Sequence, residues 1–210
     1  MKEKNNIKIV ARKILKIIAW VFLVLITIIV IIAITRIPHY FEVQKTQEQI
    51  VKIHNTKISL NDVWGVNLPP DPGAEADKTI QGIDANKNGI RDDVELAIFK
   101  EYKDSAKTRA GLLQYALVLQ METVQPFLNE DIATETTREQ SRGFICVGKT
   151  LLREDIFKFN KQEDVLINFI KERQFNTQDR KDERKNFVKK VRSYSDLGDF
   201  CDVDYMIFSN

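Results

Sequence analysis

Histidine, cysteine, glycine and proline are all scarce in this sequence. Its 210 residues include two histidines, two cysteines, eight glycines and five prolines. Both histidines, His39 and His54, precede the region where helical patterns begin, so a Ser-His-Asp or Cys-His arrangement there has no base. The sequence also has no Gly-x-Ser-x-Gly, no phosphate loop and no dinucleotide-binding fingerprint. No motif therefore predicts an enzyme, although a hydrolase built only from carboxylates stays open in a chain with 30 acidic residues.

A dense basic surface is also missing. The net charge is +2, and residues 1–16 hold six cations against one glutamate, so the other 194 residues carry a net charge of −3. Domains that bind nucleic acid usually carry a dense basic face. We therefore expect no nucleic-acid partner.

One long run has no charge at all. Residues 17–35, IIAWVFLVLITIIVIIAIT, lie between Lys16 and Arg36. As a helix rising about 1.5 Å per residue, the run would span roughly the hydrocarbon core of a bilayer. A buried core helix is disfavoured because no face is polar. A cleaved signal peptide is disfavoured because its apolar region is usually about 7–15 residues long and ends in small residues. We predict a transmembrane anchor at residues 17–36 that contacts the bilayer through residues 17–35.

The charges beside this run predict its orientation. Cations that flank a membrane helix favour the cytoplasmic side, so residues 1–16 should form a cytoplasmic basic segment. The protein would then be a single-pass protein of the inner (cytoplasmic) membrane. Its C-terminal part would be periplasmic or extracellular.

The cysteines fit that location. Cys146 and Cys201 are 55 positions apart, and the region around them has no histidine, so zinc-ligand spacing is absent. An even number of cysteines in an oxidising compartment favours a disulfide, which would tie the C-terminal tail to a helix. Two separate buried thiols are the alternative.

The remaining chain divides into a connector and a helical domain. Residues 37–73 should form a juxtamembrane stalk and a proline-rich connector. Within them, residues 39–58 are either a helix that continues from the membrane or a stalk. The stretch SLNDVWGVNLPPDPG, residues 59–73, is predicted to be extended because its prolines exclude regular helix. Residues 74–210 should form the helical domain.

Apolar residues recur at helical spacing from residue 92 onward. We predict an all-α fold, with a bundle of about five helices and no sheet, that follows one N-terminal transmembrane helix. The charged outer face of residues 177–194 is typical of a solvated surface rather than a binding patch. The positions expected to face inward are Leu113, Ala116, Leu117, Gln120 and Met121 in one helix, then Phe144, Val147, Val165, Leu166, Phe169, Ile170, Phe187 and Val188 in later helices.

The stretch GIDANKNGIRDDVE, residues 82–95, matches the pattern of a twelve-position calcium loop. Short side chains at alternate positions bring oxygens to a hard cation, the glycine permits a sharp bend, and the last glutamate closes the site with two oxygens. The predicted ligands are Asp84, Asn86, Asn88, the backbone carbonyl of Ile90, Asp92 and Glu95, with Gly89 at the bend.

The alternative to a calcium site is a polar turn that caps a helix. Asp92 and Asp93 would then only interact with the helix dipole. A cap does not account for Asp84, Asn86 and Asn88 together with Glu95. We therefore predict one structural calcium ion (Ca²⁺) at residues 84–95, with an affinity of about 10⁻⁴–10⁻³ M.

The stretch resembles the single calcium loops of the EF-hand-like, dockerin-like and thrombospondin type 3 repeat group. The resemblance covers 14 residues. Paired EF-hand sensors usually have an apolar residue at position 8, where this loop has Arg91, and no second loop is present. The thrombospondin-like variant, with aspartate at position 9, is closer. The wider block LPPDPGAEADKTIQGIDANKNGIRDDVE resembles uncharacterised bacterial envelope proteins and implies no activity.

These observations predict a membrane-anchored, extracytoplasmic helical module that binds an envelope protein or assists envelope assembly, with a structural calcium loop. The sequence does not identify the protein partner. Two alternatives stay open, namely an envelope hydrolase based on carboxylates and a periplasmic immunity-type inhibitor protein.

Overall fold

A computed structural model describes residues 2–194 and 199–208, with side chains from residue 12 onward. The chain forms two compact units, Met1–Glu48 and Gln49–Asn210. The described residues form helices, turns and loops and contain no β-strand. The predicted all-α class is therefore confirmed.

The first unit is formed by most of one long helix, α1 (Lys2–Asn55). The helix continues through Pro38, so residues 39–55 are helical rather than an irregular stalk. Side chains along residues 17–35 are exposed, except for the half-buried Ala33. By length and composition, α1 is able to cross a membrane.

The second unit contains the end of α1 and all the other helices. They are α2 (Leu60–Trp64), α3 (Asp92–Glu101), α4 (Ala106–Met121), α5 (Glu130–Lys149), α6 (Ile156–Gln174) and α7 (Gln178–Val188), with 3₁₀ turns at Gly73–Asp77 and Tyr205–Ile207. Five of them, α3 to α7, have ten or more residues. Side-chain oxygens cap the first turns of α2 and of α4 to α7, which fixes where these helices begin. The capping residues are Ser59, Ser105, Asn129, Asp155 and Thr177.

The predicted connector is helical in one short segment. Ser59 and Asp62 form a capping box at the start of α2, and Gly65 ends the helix with φ of 69°. The prediction of an extended chain is therefore wrong for Leu60–Trp64. A helix of five residues is too short to show a periodic pattern in the sequence.

The centre of the core is α4, which packs against α2, α3, α5 and α6. All of its residues except Lys107 and Thr108 are buried. The side-chain amides of two buried glutamines donate hydrogen bonds to backbone carbonyls that are distant in sequence. Gln114 donates to the Phe200 carbonyl and Gln120 to the Gln81 carbonyl. The helix is therefore surrounded on all sides.

The C-terminal tail is held on α5. The sulfur atoms of Cys146 and Cys201 are 2.12 Å apart, the distance of a disulfide. Beside them, Arg142 forms a salt bridge with Asp202 at 3.2 Å, and the Asp202 backbone N–H donates to Gln114. The predicted pairing of the two cysteines is thus present in the structure.

A buried arginine holds an irregular segment against α7. Arg180 is fully buried and uses all five of its N–H donors. The acceptors are the carbonyls of Ala76, Thr79 and Ile80 and the side chains of Asp77 and Asn176. Carbonyls outside regular helix are thereby satisfied in the interior.

Candidate metal-binding loop

The loop of residues 84–95 wraps around the side chain of Asp84. The two carboxylate oxygens of Asp84 accept hydrogen bonds from the backbone N–H groups of Asn88 at 3.2 Å and Gly89 at 3.0 Å. Gly89 has φ of 85°, and a Cβ atom there would lie 2.6 Å from Leu117 Cδ1. Glycine is therefore favoured at this bend for two reasons, as predicted for the bend itself. The backbone has a positive φ, and α4 approaches closely where a Cβ atom would lie.

Asp92 joins the two ends of the loop. It is the first residue of α3 and is fully buried. Its carboxylate accepts from the Ala85 backbone N–H at 3.0 and 3.1 Å, and its own N–H donates to the Ile83 carbonyl at 2.9 Å. Burial raises the pKa of Asp92, and the hydrogen bond from Ala85 opposes that rise. Asp92 therefore does more than cap a helix.

Glu95 lies at the closed end of the loop, one turn into α3, and only 1% of its surface is exposed. Its two oxygens accept hydrogen bonds from Asn86 Nδ2 and Asn88 Nδ2, each at 3.0 Å. Burial raises the pKa of Glu95 to about 7, although these two hydrogen bonds act to lower it. Side-chain hydrogen bonds thus join Asn86 and Asn88 to Glu95, and the binding of calcium by the predicted ligands stays a prediction.

Three of the four carboxylates of this loop, Asp84, Asp92 and Glu95, have no cationic partner in the described part of the chain. The nearest arginine, Arg91, is paired with Asp93 instead. No salt bridge among residues 12–194 and 199–208 involves Asp84, Asp92 or Glu95. Buried carboxylates usually have a positive partner or a metal ion, so this set is suited to a cation.

One local change would leave only oxygen atoms among the donors of this loop. Both asparagines direct Nδ2 toward Glu95, and rotation of each amide group by about 180° exchanges Nδ2 with Oδ1. The site would then offer oxygens from five side chains and the Ile90 carbonyl, which is the donor set that calcium prefers. Among the described residues, no three His, Cys, Asp or Glu side chains form a ready metal centre. A calcium-type loop differs because amides and backbone supply half of its ligands.

Arg91, at position 8, fixes the loop to another helix. Its side chain is fully buried and donates to both oxygens of Asp93, at 2.7 and 2.6 Å. It also donates to the carbonyls of Arg173 at 3.0 Å and Gln174 at 3.2 Å, at the end of α6. The departure from an apolar residue at this position has a structural reason, because the loop packs on α6 and not on a second loop.

His54 belongs to the second compact unit. Its Nδ1 lies 2.7 Å from Glu139 Oε1 and its Nε2 lies 3.1 Å from Glu135 Oε2, both on α5. The helical domain, which was expected to begin at residue 74, therefore includes the end of α1 and one histidine. The continuing helix was one of two alternatives for residues 39–58, but its packing against α5 was not predicted. Both ring nitrogens face carboxylates, and neither contacts a serine hydroxyl or a thiol in the described chain.

Comparison with known protein families, curated proteins and solved structures found no match to this chain. The function must therefore be argued from the residues and contacts described above.

Proposed function

We propose that this chain is a single-pass membrane protein whose second unit is an extracytoplasmic binding or envelope-assembly module, stabilised by one calcium ion in loop 84–95. The anchor is supported by the apolar side chains that α1 exposes along residues 17–35. A large aliphatic side chain gains about 1.5–3 kcal/mol when it leaves water. Such a helix is stable only if lipid or protein covers it.

Two features on opposite sides of the apolar run support the orientation. Residues 1–16 carry six cations, which favour the cytoplasmic side. Cys146 and Cys201, after the run, lie at disulfide distance, and disulfides persist in oxidising compartments. Both features support an orientation in which the second unit lies outside the cytoplasm.

The observation that carries the calcium proposal is the burial of Glu95 and Asp92 in one loop without a cationic partner. Besides the effect of burial, the charge of Asp84 raises the pKa of Asp92, and the charge of Asp92 raises the pKa of Glu95, so like charges repel within the loop. When bound, Ca²⁺ would neutralise most of this charge. Asp84 and Asp92 would hold the start of the loop and the first turn of α3, and Glu95 would close the site.

The contacts around the loop favour a structural role for the ion. Arg91 fixes position 8 to the end of α6, and Gly89 lies against Leu117 in the core. A sensor needs a loop that is free to move when the ion binds. This loop is instead packed into the domain on two sides, so the ion would mainly add stability.

The calcium proposal is tested with the full-length chain in neutral detergent micelles. Calorimetric titration after removal of divalent cations should give one calcium ion per chain, with a dissociation constant of about 10⁻⁴–10⁻³ M. Asp84→Ala should abolish the binding, whereas Asp104→Ala, at an exposed turn, should leave it unchanged. Absence of binding by the wild-type chain at millimolar calcium would contradict the proposal.

The location is tested separately in cells. Carbonate extraction should leave the full-length chain in the membrane fraction, and release of a shortened soluble form would indicate a cleaved signal peptide. A protease added to spheroplasts should digest the second unit and leave a tag on residue 1 protected. The reverse pattern would overturn the orientation.

A further inference from the structure

A cationic cleft runs along the outer side of α7. Its volume is about 550 Å³, and no carboxylate among the described residues lines it. Four cations line it, and Phe175 and Val188 add apolar surface. The cations are Lys181, Arg184, Lys185 and Lys189.

The cations differ in how far they are already neutralised. Lys185 pairs with Asp182 at 2.7 Å on the exposed surface, where such a pair is weak. Arg184 lies 3.3 Å from the buried carboxylate of Glu122 and stacks over Phe175. Lys181 and Lys189 make no salt bridge in the described part of the chain. Positive charge is therefore available along the whole length of the cleft.

The surroundings of Arg184 also show that cations are crowded here. Burial and the charge of Arg184 together lower the pKa of Lys171 on α6. Glu122 offsets part of that charge but is itself buried and does not line the cleft. An anion entering the cleft would meet uncompensated positive groups.

The spacing of the cations distinguishes between ligands. Lys181, Lys185 and Lys189 follow one another at intervals of four residues. Their Cα atoms are therefore about 6 Å apart along the helix axis. Alternate side chains of an extended peptide are about 6.6–6.8 Å apart and point the same way. A single phosphate or lipid headgroup needs cations that converge on one point, and this row does not converge.

We propose that the α7 cleft binds an extended acidic peptide segment with carboxylates at alternate positions, supplied by the partner of this module. Glutamate fits better than aspartate, because its methylene groups can cover Val188 while its carboxylate reaches a lysine. This inference rests on the proposed function only for the compartment in which the partner is found. The binding itself requires neither the membrane nor calcium.

The probe is a fluorescein-labelled octapeptide of alternating glutamate and serine, titrated with the full-length chain in neutral detergent, without calcium and at low salt. The same peptide with glutamine in place of glutamate is the control ligand. Lys181→Gln combined with Lys189→Gln should weaken binding of the acidic peptide about five- to tenfold, because two exposed charge pairs are lost. Lys100→Gln combined with Lys103→Gln removes the same charge from another exposed surface and should change binding less than twofold. Equal melting temperatures of the variants will show that the fold is kept.

Three results would overturn this proposal. The first is binding of the glutamine peptide as tight as that of the acidic one, and the second is an equal loss of affinity in both double variants, which would mean that only overall charge matters. The third is competition by glycerol phosphate that equals competition by the peptide at the same charge concentration, which would assign the cleft to a headgroup-type anion. The calcium titration of the wild-type chain is independent of all three, so failure of the metal site and failure of the cleft are distinguishable.

Discussion

Asn88 donates a hydrogen bond from Nδ2 to Oε1 of Glu95 at 3.0 Å. The amide thus stabilises a buried carboxylate without adding charge to the loop. The same amide would turn its oxygen toward a bound cation. Asn88 therefore has one role without calcium and another with it, and a single substitution separates them.

Asn88→Asp should change stability and calcium affinity in opposite directions. Without calcium, the new carboxylate lies beside Glu95 and cannot donate to it, so the free energy of unfolding should fall by about 1–3 kcal/mol. With calcium, the added ligand charge should lower the dissociation constant. Melting in chelator and calorimetric titration measure the two effects. Asn160→Asp, on the exposed face of α6, should alter neither. Weaker calcium binding by Asn88→Asp would count against the loop as a calcium site.

Stability without calcium should decrease as pH rises from about 4.5 to 7. Burial raises the pKa of Glu95 from 4.5 to about 7, so the folded chain keeps a proton that the unfolded chain has released in this window. The proton therefore favours the folded state below pH 4.5, and about 3 kcal/mol of that stability is lost by pH 7. Saturating calcium should reduce this pH dependence, because it favours the ionised form.

The measurement is the melting temperature between pH 4 and pH 8, in chelator and in calcium. Burial raises the pKa of Glu122 to about 7 as well, so its contribution must be separated. Glu95→Gln removes the contribution of Glu95 to the pH dependence of the melting temperature and keeps that of Glu122. Identical slopes for the wild-type chain and Glu95→Gln would mean that Glu95 does not titrate in this window.

Arg91→Lys should destabilise the second unit although it keeps the charge. A lysine cannot bind both oxygens of Asp93 and also reach two carbonyls at the end of α6. Leaving these buried acceptors unsatisfied should cost about 1–3 kcal/mol of unfolding free energy. Arg192→Lys is the matched control, because Arg192 pairs with Glu130 on the exposed surface and should change stability by less than about 0.5 kcal/mol. Equal effects of the two substitutions would show that the α6 contact adds no stability.

Reduction of the disulfide should lower the stability of the second unit substantially. Cys146 and Cys201 are separated by 55 positions, and closing such a loop contributes up to about 4 kcal/mol in the chain-entropy model. Melting with and without reductant measures the loss, and Cys146→Ser combined with Cys201→Ser should be insensitive to reductant. Thiol labelling of unreduced, denatured protein should find no free cysteine. Two labels per chain would show that the bridge does not form.

Local patterns predict the helical class and the buried centre of α4, because Leu113 and Leu117 recur at helical spacing and are fully buried. The later helices are predicted less well. Val165 and Val188 are expected to face inward, yet they are 58% and 56% exposed. A periodic pattern identifies an apolar face but does not say how much of that face a neighbouring element covers.

The loop was more predictable than its surroundings. Its side chains all lie within twelve positions, so spacing alone brings Asp84 and Glu95 together. The roles of Arg91 and His54 depend on acceptors 81–85 residues away along the chain. No local pattern contains that information, although the unusual residue at position 8 did mark Arg91 as exceptional.

Arg180 makes the order of synthesis matter. The carbonyls of Ala76, Thr79 and Ile80 precede it by 100–104 residues. At a synthesis rate of about 5–20 residues per second, these carbonyls are made roughly 5–20 s before Arg180. Until then they lack the guanidinium group that satisfies them in the folded domain, and exposed irregular backbone of this kind is where proteases cut. A chain that ends before α7 would keep this segment open permanently and should therefore be degraded faster than the complete protein.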